Sequence, residues 1–289
     1  MTPDNPFHPE DIKIVGPGSQ PEEADGADLD ILQLPTEMQT FQTPELPEPE
    51  DTTHLLEALH LLRRLQADME QAAELELPLQ YNLSSMDDDN RTFIDQVLGE
   101  GEVSIVFDDY LKIKIQESAM AGLWRIQLFS RTQLLGDAVQ IGDIPDLVRT
   151  STFAGMPTRV SVTAQQVPDG VSNALPLIAE INERCANLDA NDPPHVINLT
   201  LLPQTEADLT FLQNILGAGK TCILSRGYGN CRITSTGVRN VWWVQYFNSQ
   251  DKNILNTLEI TPVPEAARAA SEDITDSHKR LKEILELYP

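Results

Sequence analysis

Residues 92–129, TFIDQVLGEGEVSIVFDDYLKIKIQESAMAGLWRIQLF, and residues 210–247, TFLQNILGAGKTCILSRGYGNCRITSTGVRNVWWVQYF, align without a gap at a constant offset of 118. Eleven of the 38 positions are identical. They include Phe93 with Phe211, Leu98-Gly99 with Leu216-Gly217, Gly101 with Gly219, Tyr110 with Tyr228, Trp124 with Trp242, Gln127 with Gln245 and Phe129 with Phe247. One inserted residue later, Ile141, Pro145 and Arg149 match Ile260, Pro264 and Arg268. Upstream, Asn82-Leu83 matches Asn198-Leu199, and Leu56, Leu59 and Leu62 match Leu175, Ile178 and Ile181. Self-similarity of this kind marks a duplicated structural unit, here of roughly 100 residues.

Working outward from the aligned stretch, each unit follows one order of elements. Leu55, Leu56, Leu59, Leu62 and Leu65 recur at helical spacing, and a short apolar run from Leu79 to Leu83 suits a strand. A second helix spans about Asp88 to Leu98 and is closed by Gly99 and Gly101. Val103–Phe107, Leu111–Ile115 and Leu123–Phe129 then predict three antiparallel strands in a meander, and Ala138–Ile141 a fourth. The second copy repeats the order and ends in an amphipathic helix from about Pro264 to Leu287, with Ala267, Ile274, Leu281 and Leu285 on its apolar face. The expected class is α+β: helices packed on a mostly antiparallel sheet, in two pseudo-equivalent lobes at 51–165 and 166–289.

Residues 1–50 are of a different kind. They hold nine of the 20 prolines, twelve acidic residues and one basic residue, Lys13. Such a segment cannot bury enough apolar area to offset its ordering entropy, so a disordered acidic arm is expected. Short apolar islands within it, at Ile12, Ile14 and Val15, at Leu29 to Leu34, and at Met38 and Phe41, suit either a solubilising arm or one that folds onto a partner. The whole chain carries a formal net charge of −25, which argues against a nucleic-acid partner. No apolar run approaches membrane-spanning length, and Met1–Glu10 has neither the basic start nor the apolar core of a signal peptide. Three cysteines are too few for a disulfide framework, so a cytoplasmic location is expected, without membrane insertion.

The motifs that suggest chemistry are weak. Gly217-Ala218-Gly219-Lys220-Thr221 resembles the end of a phosphate-binding loop, but it closes a helix and opens a strand, and Asn214 stands where the loop's first glycine belongs. Helix capping accounts for it. Cys222 and Cys231 fall on adjacent strands, where a tight hairpin would make them diagonal neighbours on one face. No third or fourth ligand accompanies them at metal-site spacing, so buried structural thiols are expected, with no cofactor. Asp87-Asp88-Asp89 reads as a helix start. Along Arg239–Phe247, alternation puts Trp242, Val244 and Tyr246 on one face and Trp243, Gln245 and Phe247 on the other. Trp124 and Trp242 are expected in the core. Trp243, matched by Arg125, is either packed between the lobes or exposed as a hydrophobic anchor.

The stretch Arg239–Ile260, RNVWWVQYFNSQDKNILNTLEI, continuing through Val263-Pro264-Glu265, Glu272-Asp273-Ile274 and Arg280-Leu281-Ile284-Leu285, resembles the C-terminal signature of the HupH/HyaF hydrogenase expression and formation proteins. Val15–Glu23, VGPGSQPEE, with Met38, Phe41 and Pro47–Glu50, resembles the same family's N-terminal region. The resemblance implies a non-enzymatic accessory role in maturing an uptake [NiFe]-hydrogenase. It further implies cytoplasmic action on the iron–sulfur small-subunit precursor, before assembly and export, with other accessory proteins as further candidate partners. The family supplies no catalytic residues to carry over. Its motifs nominate a partner-binding set: Gly16, Pro17, Gly18, Ser19, Gln20, Pro21, Met38 and Phe41 in the arm, and Arg239, Asn240, Trp243, Gln245, Asn248 and Asp251 in the signature. Two alternatives stay open at this level: a metal or iron–sulfur carrier using Cys222 and Cys231, and an enzyme whose site lies in an inter-lobe cleft near Gln127 and Gln245.

Overall fold

The strands around both tryptophans enter one sheet. The computed structural model describes residues 52, 54–71, 79–189, 192–227 and 229–288, all within one compact unit. Its elements are α1 (Leu56–Gln71), β1 (Leu79–Asn82), α2 (Asp88–Leu98), β2 (Val103–Asp108), β3 (Lys112–Glu117), β4 (Leu123–Ser130), β5 (Gln133–Ile141) and α3 (Asp146–Ser151). They continue as α4 (Ala174–Ala186), β6 (His195–Asn198), α5 (Glu206–Leu216), β7 (Ala218–Ser225), β8 (Asn230–Thr236), β9 (Val241–Phe247), β10 (Asn253–Ile260) and α6 (Ser271–Glu286). The fold is α+β, with ten antiparallel strands in the order β1-β5-β4-β3-β2-β7-β8-β9-β10-β6. That order reads alike from either edge: the first strand of each half, then the last, then the rest inward to the β2–β7 seam, where Val103 faces Ser225 and Phe107 faces Thr221. The expected lobes thus contribute to one continuous sheet.

Local sequence explains most boundaries. Asp87 caps α2 by accepting the Asn90 N–H at 2.8 Å, and Thr205 caps α5 by accepting the Asp208 N–H at 3.1 Å. Gly99 and Gly217 end the two helices at φ 58° and 66°, backbone that an L side chain adopts only with strain. The Gly217–Thr221 motif is therefore a cap leading into β7.

Each face of the sheet has its own cover. On one face Trp124 and Trp242 are fully buried in a shared cluster with Ile105, Ile115, Ile223 and Ile233, beneath α3 and the segment around Val263–Ala267. Their indoles donate to matching carbonyls, Gly142 at 2.8 Å and Thr261 at 3.1 Å. On the other face α1 and α2 pack on Leu123, Val139 and Ile141, while α4 lies on β10 and α5. α6 follows β10 in the chain yet joins the α1–α2 cluster through Leu281 and Leu285, and Tyr288 just beyond it packs edge-on against Phe93 at 5.3 Å.

Two expectations need correction. The terminal helix begins at Ser271, not near Pro264. Asp143 accepts from Arg268 Nε at 2.8 Å, and its carbonyl accepts the Ala269 N–H at 2.8 Å, holding that segment extended while Glu265–Ala267 forms a 3-10 turn. Cys222 and Cys231 lie on opposite faces, because Cys222 faces Thr234 and Cys231 faces Ser225, an odd shift. They cannot share one ligand.

Candidate partner-binding surface

The signature residues separate into surface and interior. Arg239 and Asn240 form the β8–β9 turn, where the Arg239 side chain is exposed and Asn240 takes the left-handed conformation at φ 63°. Asn248 builds the β9–β10 turn at the other end of β9: its Oδ1 accepts the N–H groups of Gln250 at 2.9 Å and Lys252 at 3.0 Å. Asp251 is exposed in that turn at φ 57°. Trp243 is 7% exposed and its indole donates to Asn256 Oδ1 at 2.5 Å. Gln245 is 5% exposed. Both are buried side chains of β9, not presented anchors. Gly16, Pro17, Gly18, Ser19, Gln20, Pro21, Met38 and Phe41 lie outside the described residues.

Between the two helix layers, the same sheet face continues across β3, β2, β7 and β8. Its residues Ser104, Lys112, Lys114, Gln116, Cys222, Leu224 and Arg232 are half-buried, with Val106 and Thr234 forming a buried floor. Phe129 and Phe247, half-buried on the flanking strands β4 and β9, each carry a cation: Lys114 Nζ lies 5.4 Å from the Phe129 centroid and the Arg232 guanidinium 5.3 Å from that of Phe247. Both pairs occupy matching positions of the 118-residue offset. The alignment therefore contained this arrangement, but identity counting passed over it because lysine and arginine differ.

A second concavity, of about 680 Å³, opens between the ends of β2 and β3 and the start of α6. Glu102, Glu117, Asp273, Arg226 and Arg280 are among its lining groups. Burial, reinforced by the nearby Glu102 and Asp273, pushes the Glu117 carboxyl up to about 7. Burial pushes all three thiols up, Cys185 to about 11 and Cys231 to about 12. Among the described residues no group of three His, Cys, Asp or Glu side chains could hold a metal ion, and no helix is long and apolar enough to cross a membrane.

The family description "HupH hydrogenase expression protein, C-terminal conserved region" matches residues 55–153 and again 171–288. The chain belongs to the HupH family. The HupH-family relatives are similar along almost their whole length. The hydrogenase expression/formation protein HoxQ of Cupriavidus necator is 42% identical over 274 residues, 95% of each chain. HupH of Rhodobacter capsulatus, named a hydrogenase expression/formation protein, is 42% identical over 94% of each chain. The hydrogenase-1 operon protein HyaF of Escherichia coli K12 is 36% identical over 94% of each chain. HoxQ and HupH carry the names of expression/formation proteins, and HyaF that of a hydrogenase operon protein.

Proposed function

We propose that this protein is an accessory chaperone in hydrogenase maturation, acting in the cytoplasm on the iron–sulfur small-subunit precursor of an uptake [NiFe]-hydrogenase before assembly and export. The observation that carries the reading is the likeness to hydrogenase expression/formation proteins across about 95% of both chains. A subunit awaiting its partner exposes apolar surface that invites aggregation, and a scaffold that covers it needs shape and adhesive groups but no reacting centre. In this proposal the contacts come from the arm motif Gly16–Pro21 with Met38 and Phe41, and from the exposed turn residues Arg239, Asn240, Asn248 and Asp251. Trp243 and Gln245 act from the interior, by fixing β9. The arm adds avidity through a second attachment. The lobes at 51–165 and 166–289 belong to the same proposal as copies of one ancestral unit. The recurring element order, the symmetric strand order and the two segments matched by the family description support it.

The test is affinity recovery from hydrogenase-expressing cells with three baits: the full chain, a version lacking residues 1–50, and Arg239→Glu. Recovery of the small-subunit precursor by the full chain, reduced in either variant, is expected. If the full chain recovers only other hydrogenase components, the small-subunit assignment fails.

A further inference from the structure

The first half of the sheet leaves an apolar corner that the second half closes. On the face that holds Trp124, Ile113, Leu128 and Gly136 form one row across β3, β4 and β5, and Ile115, Ile126 and Ala138 form the next. Neither row carries a charge. Ile113, Ile126 and Leu128 are half-buried, and at the hairpin tips beside them Leu111 is 38% and Leu135 48% exposed. At the matching positions of the other half Cys231 is 3% exposed and Val244 is fully buried. There Tyr246 takes the place of Leu128 and bonds to the Cys231 thiol. An uncharged apolar corner left open in one copy and shut in the other selects an apolar occupant.

The chain enters beside this corner. The described residues begin at Thr52, whose carbonyl accepts the Leu55 N–H at 2.9 Å, and the Ala58 N–H donates to Asn90 Oδ1 at 2.9 Å near the start of α2. The turn before α2 is held to β5: the Leu83 N–H donates to the Asp137 carbonyl at 2.8 Å, and the Asp137 N–H to Ser84 Oγ at 3.0 Å. Asp137 stands two residues from Leu135, so the start of α1 and the apolar corner share one end of the sheet, on opposite faces. Within residues 37–51 the large apolar side chains are Met38, Phe41 and Leu46, and Phe41 lies eleven residues before Thr52. Fully extended, that length spans up to about 36 Å. A path from the layer on one face, around the strand ends, to the layer on the other is about 20 Å.

We propose that residues 38–46 of this chain cover the corner, seating Met38 and Phe41 on Ile113, Ile126 and Leu128. Held by so short a tether, the segment acts at an effective concentration on the order of millimolar, so a contact of only about 0.1 mM affinity keeps the corner roughly ten parts covered to one part open. A free partner has to match that concentration, which favours the chain's own segment as the occupant. The inference goes beyond the chaperone reading and does not rest on it, because it concerns the chain alone. A partner that takes Met38 and Phe41 has first to lift them from the sheet, and the corner is then presented as well.

Hydroxyl-radical footprinting of side chains, read by mass spectrometry, tests it on the full chain, the chain lacking residues 1–36, the chain lacking residues 1–50, and the variant Met38→Ser/Phe41→Ser. None of these changes touches a described residue. Labelling of Ile113, Ile126 and Leu128 is expected to be low in the first two proteins and about tenfold higher in the other two. Leu175 and Ile254, exposed elsewhere on the molecule, should label alike in all four. Equal labelling of the corner in all four proteins, a rise already present when only residues 1–36 are removed, or a rise at Leu175 and Ile254 as large as at the corner would overturn the proposal. So would labelling of the corner that climbs when the full chain is diluted, which would assign the cover to a second copy.

Discussion

Arg125 and Trp243 stand at matching positions of β4 and β9 and hold matching neighbours by different chemistry. Arg125 binds Asp137 on β5 through two nitrogens at 2.5 and 2.7 Å and reaches Asp95 on α2 at 2.7 Å. Trp243 donates to Asn256, the counterpart of Asp137. Because Asp137 is only 4% exposed, Arg125→Ala strands a buried carboxylate, and a loss of about 3–5 kcal/mol is expected. Transplanting the other half's pair, Arg125→Trp with Asp137→Asn, removes the charge along with its partner and should recover at least half of that loss in urea unfolding. A double variant no more stable than Arg125→Ala would show that the pairs are not interchangeable. Glu117 makes a different prediction. Its folded pKa of about 7 exceeds the ordinary 4.5, so between these values the native state holds a proton that the unfolded chain has lost. Stability therefore falls as pH rises from 4.5 to 7, and the penalty persists above. Glu117→Gln should flatten that limb and stabilise the protein at pH 8 by on the order of 2 kcal/mol, measured by thermal melts across pH.

At the scale of elements, Asp208 ties two helices together. Its Oδ1 accepts the N–H groups of Ser172, Asn173 and Ala174 at 2.9–3.0 Å, at the start of α4, while Oδ2 accepts from Thr205 at the start of α5. Burial pushes this carboxyl up, but the backbone donors outweigh it and hold the group at about 2. The stabilisation is complete above the ordinary 3.8 and disappears as pH falls toward 2. Asp208→Ala is expected to cost about 3 kcal/mol at neutral pH and to speed amide exchange in α4 before the central strands open. Uniform exchange across the molecule would contradict that ordering. The contrast between α2 and α6 shows which element boundaries were legible in sequence. Asp87 and Gly99 mark α2 locally, so its limits could be read from neighbours. The Pro264–Ala270 stretch looks helical by composition, yet Asp143, more than 120 residues earlier, holds Arg268 and Ala269 extended. Likewise, alternation assigned the faces of β9 correctly, but it could not show that Trp243 is buried. The placement of Cys222 and Cys231 depended on a hairpin register that their spacing alone does not fix. The shared face of Lys114 and Arg232 was hidden for the same reason, since the two come together only through the β2–β7 seam.

For the whole molecule, the seam and α6 decide whether the halves can live apart. Cutting near residue 165 would expose the edges of β2 and β7 and open the cluster that joins Val103 and Ile105 to Ile223 and Ile233. It would also take α6 from the first half, whose α1–α2 layer depends on Leu281, Leu285 and Tyr288, and where Arg63 donates to the Tyr288 carbonyl at 2.6 Å. Neither 51–165 nor 166–289 is therefore expected to fold as a monomer, despite the similar order of elements in each. Co-expressed, the two should assemble into a complex of intact size, because β2 can still pair with β7 and α6 can still dock on α1 and α2 across a chain break, and only the 152–173 connection is severed. Size-exclusion chromatography with circular dichroism distinguishes the cases. A folded, monomeric 51–165 fragment would mean that α6 and the seam are accessory to the first half, and that the single sheet is an association of two autonomous domains.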